Sequence, residues 1–168
     1  MDETILVEER GQLLEFSYTD MLCYAGPYSP AGVATAFKVM QRAFAALSGN
    51  QPPQRRSIVI RTAFAGPGAR DGFEAVTRAF TDGRYTVDPA LARPDRGRLL
   101  QKFVFQVTIA GRTATLMLRP GFITAEFVAL AGKAERDHAE EAHLDEMKTQ
   151  SAQRILAATA EDVYELAD

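Results

Sequence analysis

The segment QKFVFQVTIAGRTATLMLR (residues 101–119) contains the clearest pair of strands in the chain. Large apolar side chains recur at every second position from Phe103 to Ile109, as in a strand that buries one face. The short link through Gly111 predicts an antiparallel hairpin in which this glycine adopts a left-handed backbone conformation. Pro120 and Gly121 then end the second strand.

Two helices are predicted before this hairpin, joined by a tight corner. Ser17 and Asp20 form a capping pair at the start of the first helix, which Gly26-Pro27 ends. Ser29 is expected to cap the second helix. That helix is indicated by apolar side chains at spacings of three and four, namely Val33, Phe37, Met40, Phe44 and Leu47.

The other segments complete a mixed fold. Residues 57–64 and 84–88 predict two strands, and the helix between them is expected to carry Phe73, Val76 and Phe80 on one face. Residues 4–10 fit either an edge strand or a helical turn. After the hairpin we expect helices over 124–130 and 137–157, the second opened by a capping box of Asp137 and Glu140, and then a short strand. The order predicts one α+β domain over residues 1–168, with N-terminal helices, a mainly antiparallel sheet and a helical C-terminal segment.

The composition excludes several classes of protein. The chain has 168 residues and a net charge of -3, which gives no general attraction to nucleic acid. The acidic N-terminus lacks the features of a signal peptide, and no apolar run approaches membrane-spanning length. The single cysteine, Cys23, excludes an internal disulfide and a Cys-pair zinc site. We therefore expect a cytoplasmic protein that binds neither membranes nor nucleic acid, with Cys23 as a buried structural thiol rather than a nucleophile.

A glycine-rich turn over residues 65–72 resembles part of a dinucleotide-binding fingerprint, with Asp88 ending the next strand. The glycine spacing is one residue too long, however, and Pro67 lies inside it. A plain turn into a helix is one interpretation. The alternatives are a nucleotide-binding turn, or an anion site in which backbone N–H groups act with Arg61 and Arg70.

The sequence gives weaker indications of function for two other groups of polar residues. His138 and His143 diverge on their predicted helix and are expected to be solvated. The loop arginines Arg93, Arg96 and Arg98 form either a solvated loop, an anion clamp or an active-site lid.

The corner YAGPYSP (residues 24–30) resembles the N-terminal domain of the FmdE-like family of formylmethanofuran dehydrogenase proteins, whose signature is Asp followed by His-Gly-His-x-Cys-Pro-Gly. The resemblance continues through GPGARDGFEAV (residues 66–76), where Asp71 matches an acidic residue that opens a helix, and reaches the hairpin. It covers about residues 10–130. The resemblance implies a small α+β domain, often a dimer, and the family's name suggests one-carbon chemistry.

The family's metal-site residues are replaced in this chain. Gly26 and Pro30 match the signature, whereas Ala25, Pro27 and Ser29 stand at the His, His and Cys positions. Alanine and proline offer no metal ligand, so we expect no metal and no cofactor. Ala25 is interpreted in three ways: a natural loss of an acid–base histidine, an engineered His-to-Ala replacement, or an alanine that simply fits the end of the helix.

Together these features predict a metal-independent enzyme that performs acid–base chemistry on a small organic substrate. A lyase or isomerase is expected, with release or handling of a one-carbon unit such as formaldehyde as a refinement. The candidate catalytic positions are Ala25, Tyr24, Tyr28 and Lys102, and the candidate substrate-binding residues are Arg61, Arg70, Asp71 and Ser29. A tyrosine would move a proton, Lys102 would act as a base or carbonyl-binding amine, and the arginines would hold an anion.

Two other functions remain open at this point. One is a non-catalytic accessory or ligand-binding domain, which the loss of all three metal-position side chains would suit. The other is nucleotide binding at the 65–72 turn. In each case the expected assembly is a homodimer.

Overall fold

The predicted hairpin lies at the centre of the larger of two sheets. A computed structural model describes residues 3–167 of the chain, which form one α+β domain. The strands are β1 (Thr4–Glu9), β2 (Gln12–Ser17), β3 (Val59–Thr62), β4 (Tyr85–Val87), β5 (Val104–Ile109), β6 (Arg112–Leu118) and β7 (Tyr164–Ala167). The helices are α1 (Tyr18–Ala25), α2 (Pro30–Ser48), α3 (Pro67–Thr77), α4 (Gly97–Leu100), α5 (Ala125–Ala131), α6 (His138–Ala157) and α7 (Ala160–Val163). No helix within residues 3–167 has the length and apolar character needed to cross a membrane.

The five-stranded sheet has the order β4-β3-β5-β6-β7 and is antiparallel except for the pair of β3 and β4. The turn between β5 and β6 has positive φ at both central residues, 51° at Ala110 and 78° at Gly111. This is the backbone of a two-residue hairpin turn, so the predicted hairpin is confirmed. β1 and β2 pair in a separate hairpin whose turn has the same backbone, with φ of 52° at Arg10 and 79° at Gly11.

The α2 helix packs against one face of the larger sheet. It buries Val33, Phe37 and Met40, and the sheet buries Phe105 and Leu116 at alternate positions of their strands. The opposite face of the sheet carries Arg61, Gln106 and Thr115, which are exposed or half-buried and hydrogen-bond in a row across three strands. The apolar spacing of three and four therefore identified the central helix of the core.

The glycines of residues 66–72 serve a contact between two helices. A Cβ atom on Gly32 of α2 would lie 2.8 Å from the backbone nitrogen of Ala69, and one on Gly72 would lie 2.8 Å from the Cβ of Ala36. A Cβ on Gly68 would lie 2.5 Å from the Cβ of Ser29. Gly32 and Ala36 are four residues apart on α2, and Gly68 and Gly72 have the same spacing on α3, so each pair lies on one helix face. These small residues let the two backbones approach closely.

The predicted capping boxes at the starts of α1 and α6 are confirmed. Ser17 and Asp20 make both hydrogen bonds of a capping box at the start of α1, and Asp137 and Glu140 do the same for α6. α6 ends at Ala157, as expected from the sequence. Ser29 is the N-cap residue of α2, although its side chain makes no capping hydrogen bond.

Three expectations were wrong or incomplete. α3 ends at Thr77, because Arg78 adopts a left-handed conformation with φ 57°, so Phe80 lies outside the helix and is half-exposed. Cys23 is exposed rather than buried, because Met21 and not Cys23 is the residue of α1 that faces the core. Residues 4–9 form the strand β1, Arg10 belongs to the turn that follows, and the partner strand β2 was not predicted.

Candidate functional site

A cavity of about 430 Å³ opens beside the first two turns of α2. Its walls come from α2, from residues 98–103 before β5 and from the segment 123–131 that contains α5. The large apolar side chains that line it are Phe64, Leu99, Phe103, Ile123, Phe127 and Val128. This volume lies in the range of small-molecule binding sites, and the mostly apolar lining is typical of them.

The polar residues of the cavity are Arg98, Lys102, Gln101 and Thr35. Arg98 and Lys102 are exposed and so belong to the mouth, whereas Thr35 is only 1% exposed. None of the described residues that line the cavity is acidic. The first turn of α2 also lines it through Ala31 and Gly32, and a helix N-terminus carries partial positive charge. The site therefore favours an anionic group at its mouth.

Local contacts hold the walls in place. The rings of Phe64 and Phe103 stack with centroids 4.5 Å apart. Thr62 donates its hydroxyl to the carbonyl oxygen of Val104 at 2.7 Å and accepts from the backbone N–H of Phe64 at 3.0 Å. These bonds fix the end of β3 against β5 and set the position of the stacked pair.

Two of the loop arginines have different positions: Arg96 makes hydrogen bonds within the fold, and Arg98 lines the cavity. The Arg96 guanidinium donates to the carbonyl oxygen of Leu100 at 3.3 Å and also to that of Leu118. Arg96 thereby ties the mouth segment to the end of β6. Arg98, two residues later, lines the cavity. Of the three interpretations of this loop, an anion clamp agrees with the position of Arg98.

The corner of residues 24–30 does not contribute to this cavity, whose lining begins at Ala31. Tyr24 and Tyr28 are 59% and 80% exposed, and Ala25 packs against the core at the end of α1. Ser29 lies against Gly68. Of the eight candidate positions, only Lys102 lines the cavity. The catalytic roles assigned to the others stay predictions.

Arg61 and Arg70 lie on opposite faces of the sheet. Arg61 follows Ile60, which is buried and pairs with Tyr85 in the parallel register. Because successive strand residues point to opposite faces, Arg61 lies on the face away from α3, where it pairs with Asp88. The structure therefore does not bring the two arginines together around one anion.

Arg70 belongs to a cluster on the helix side of the sheet. Its guanidinium lies 5.1 Å from the centre of the Phe80 ring and pairs with Asp71 at 3.2 Å. Burial raises the pKa of Tyr85 to about 12; the charge of Arg70 opposes this shift and that of Asp71 adds to it. Arg70 and Asp71 thus lie together but away from Lys102, since neither of them lines the cavity.

The residues that resemble a dinucleotide-binding fingerprint make contacts with other parts of the protein. The predicted strand, helix and strand form a real unit, in which β3 and β4 are parallel. Gly68 is packed against Ser29, however, and Asp88 pairs with Arg61 and accepts from the backbone N–H of Ala90 at 3.0 Å. A ribose or phosphate group would have to displace these contacts.

The histidines are exposed, as expected from the sequence, and His143 lies 2.7 Å from Glu126 across α5 and α6. Within residues 3–167, no group of three His, Cys, Asp or Glu side chains is placed to hold a metal ion.

Sequence reasoning missed Thr35 and the contribution of α5. The signal for Thr35 was a single hydroxyl between Val33 and Phe37 on the apolar face of a helix. A polar group at such a position needs a partner, so it could have been singled out. Phe127 and Val128 carried no recognisable signal, because the cavity joins segments that are distant along the chain.

Compared with known proteins, the sequence matches no protein-family model and no curated protein. The resemblance to the FmdE-like family of formylmethanofuran dehydrogenase proteins therefore rests on the residues quoted above.

Proposed function

We propose that this protein binds a small, largely apolar carboxylic acid in the cavity between α2, residues 98–103 and α5. The observation that carries this proposal is the combination of two cationic side chains, Arg98 and Lys102, with an otherwise mostly apolar lining that contains no acidic residue among those described.

Each part of such a ligand has a counterpart in the cavity. The carboxylate would meet the Lys102 ammonium and the Arg98 guanidinium at the mouth, where charge-assisted hydrogen bonds form. The apolar body would pack against the stacked rings of Phe64 and Phe103. Burial of apolar surface supplies about 25 cal/mol per Å², so this body provides most of the affinity.

The test compares cinnamate with its neutral amide, cinnamamide, by calorimetric titration of the intact protein. The two compounds have nearly the same shape and differ in charge at one end. We expect cinnamate to bind about tenfold more tightly, because only the carboxylate forms charge-assisted hydrogen bonds. Equal affinities, or no binding of either compound, would contradict the proposal.

An acid–base enzyme of the lyase or isomerase type is the second candidate, and the presence of Lys102 in the cavity favours it. A lysine amine can condense with an aldehyde, releasing water and forming a C=N bond. After incubation with cinnamaldehyde, borohydride would deliver a hydride to this bond and leave a stable secondary amine. This candidate predicts an adduct that mass spectrometry locates on Lys102 and that forms faster than the adduct on Lys133, an exposed lysine that any aldehyde can modify. Equal rates at the two lysines would contradict a catalytic role for Lys102.

We also propose that the chain is related to the FmdE-like family, that it handles a one-carbon unit and that it assembles as a homodimer. The features that support the proposal of a related fold are the corner between two helices at residues 24–30 and the later antiparallel hairpin. A cytoplasmic location, an accessory role and nucleotide binding at residues 65–72 stay predictions.

A further inference from the structure

Two buried hydroxyl groups, that of Thr35 on α2 and that of Tyr164 on β7, belong to elements that pack against each other. Tyr164 is the first residue of β7, is fully buried and packs edge-on against Phe105, with ring centroids 5.9 Å apart. Its phenol oxygen makes no hydrogen bond with the described residues. A buried polar group without a partner is uncommon, because its loss of hydration is not replaced.

Thr35 connects this phenol to the cavity. Helix α2, which carries Thr35, is in contact with strand β7, which begins at Tyr164. Burial raises the pKa of Tyr164 and the Thr35 hydroxyl opposes that shift, yet the phenol oxygen has no complete hydrogen bond with the described residues. Thr35 also lines the cavity, and of the polar residues that do so it alone is buried. The cations are thus on the exposed side of the site, whereas this hydroxyl is buried.

We infer that the preferred ligand carries a hydroxyl group at the end remote from its carboxylate, and that Thr35 selects it. This inference rests on the proposed function, since it assumes that the carboxylate lies at Lys102. In the complex, Tyr164 would donate to the Thr35 hydroxyl oxygen, and Thr35 would donate to the hydroxyl oxygen of the ligand. Binding would thus complete a chain of hydrogen bonds that the two side chains leave open by themselves.

A purely structural role for Thr35 makes a different prediction. If the threonine only filled space on α2, valine, which has the same shape, would leave ligand preference unchanged. If Thr35 selects a hydroxyl, the same change removes the preference while the apolar part of the ligand binds as before.

The experiment measures the affinities of para-coumarate and cinnamate, which differ only in the phenolic hydroxyl. For the wild-type protein we expect para-coumarate to bind about three- to tenfold more tightly, the effect of one buried hydrogen bond. In Thr35→Val the two affinities should become equal, and Thr35→Ser, which keeps the hydroxyl, should restore the preference. The serine variant also shows whether a change at this position disturbs folding.

The outcomes separate this inference from the function on which it rests. Cinnamate binding with no preference for para-coumarate would overturn the inference and leave the apolar carboxylate site intact. A preference for para-coumarate that persists in Thr35→Val would also overturn the inference, because another residue would then bind the phenolic hydroxyl of the ligand. Failure of both compounds to bind would overturn the inference together with the proposed function.

Discussion

Replacing Gly32 by alanine is expected to destabilise the protein by about 2 to 3 kcal/mol. The new methyl group would lie 2.8 Å from the backbone nitrogen of Ala69 and 2.9 Å from the Cα of Gly68. Both are backbone atoms of the first turn of α3, so no side chain can rotate away to make room. The two helices would have to separate, and the packing of Gly72 against Ala36 in the same interface would be lost with them.

Urea unfolding followed by circular dichroism measures this change, and Gly132→Ala is the matched control. Gly132 caps the C-terminal end of α5 with φ -82°, a value that any residue adopts. The atom nearest to a Cβ added at this position would be the carbonyl oxygen of Val128, at 3.4 Å. We expect this control to alter stability by less than about 1 kcal/mol. Equal effects of the two substitutions would show that α2 and α3 are not packed as closely as described.

Replacing Lys102 by methionine is expected to weaken cinnamate binding about tenfold, without changing the free energy of unfolding. Methionine keeps a long apolar side chain at the mouth and removes only the charge. A hydrogen bond to a charged group contributes about 1.5 to 3 kcal/mol, and solvent at the exposed mouth reduces this toward the lower value. Calorimetric titration of cinnamate and cinnamamide measures the effect.

The neutral ligand and a second lysine serve as controls. Cinnamamide should bind Lys102→Met and the wild type equally, because it has no charge for Lys102 to meet. Lys148→Met removes an ammonium from α6 that pairs with Asp145 at 3.9 Å and does not line the cavity. If Lys148→Met weakened cinnamate binding as much as Lys102→Met, the effect would come from the overall charge of the protein and not from the site.

Elements whose determinants are local could be predicted from the sequence. The capping box at Asp137 and Glu140 involves residues three apart, and it placed the start of α6 correctly. The hairpin at Gly111 was equally accessible, since the alternation of apolar residues and the turn glycine lie within one segment. Gly11 has the same backbone conformation as Gly111, but β1 and β2 bury fewer side chains, so their alternation was too weak to recognise.

Features that depend on long-range packing could not be predicted. The glycines at 68 and 72 suggested a phosphate-binding turn because their spacing was visible, while their contact with Gly32 and Ala36 was not. Arg61 and Arg70 were paired because they are close in sequence. The pleat of β3 places Arg61 on the open face of the sheet, and α3 holds Arg70 on the other.

The cavity shows most clearly that features built by long-range packing could not be predicted from the sequence. Its cations precede β5, its buried hydroxyl lies on α2, and much of its apolar wall belongs to α5. Each segment taken alone resembles an ordinary loop or helix. Lys102 was recognised beforehand as a candidate site residue and Arg98 as part of a possible anion clamp, since charged groups can be noticed without knowing their neighbours.

The most direct test of the cavity as a ligand site is the cinnamate titration followed at the methyl groups by NMR. Ile123 and Val128 line the cavity, whereas Ile58 is buried in the core and does not. We predict saturable shifts of the Ile123 and Val128 methyl resonances, with little change at Ile58 and smaller shifts with cinnamamide at the same concentration. Unchanged Ile123 and Val128 resonances at saturating cinnamate would contradict the assignment of this cavity as the functional site.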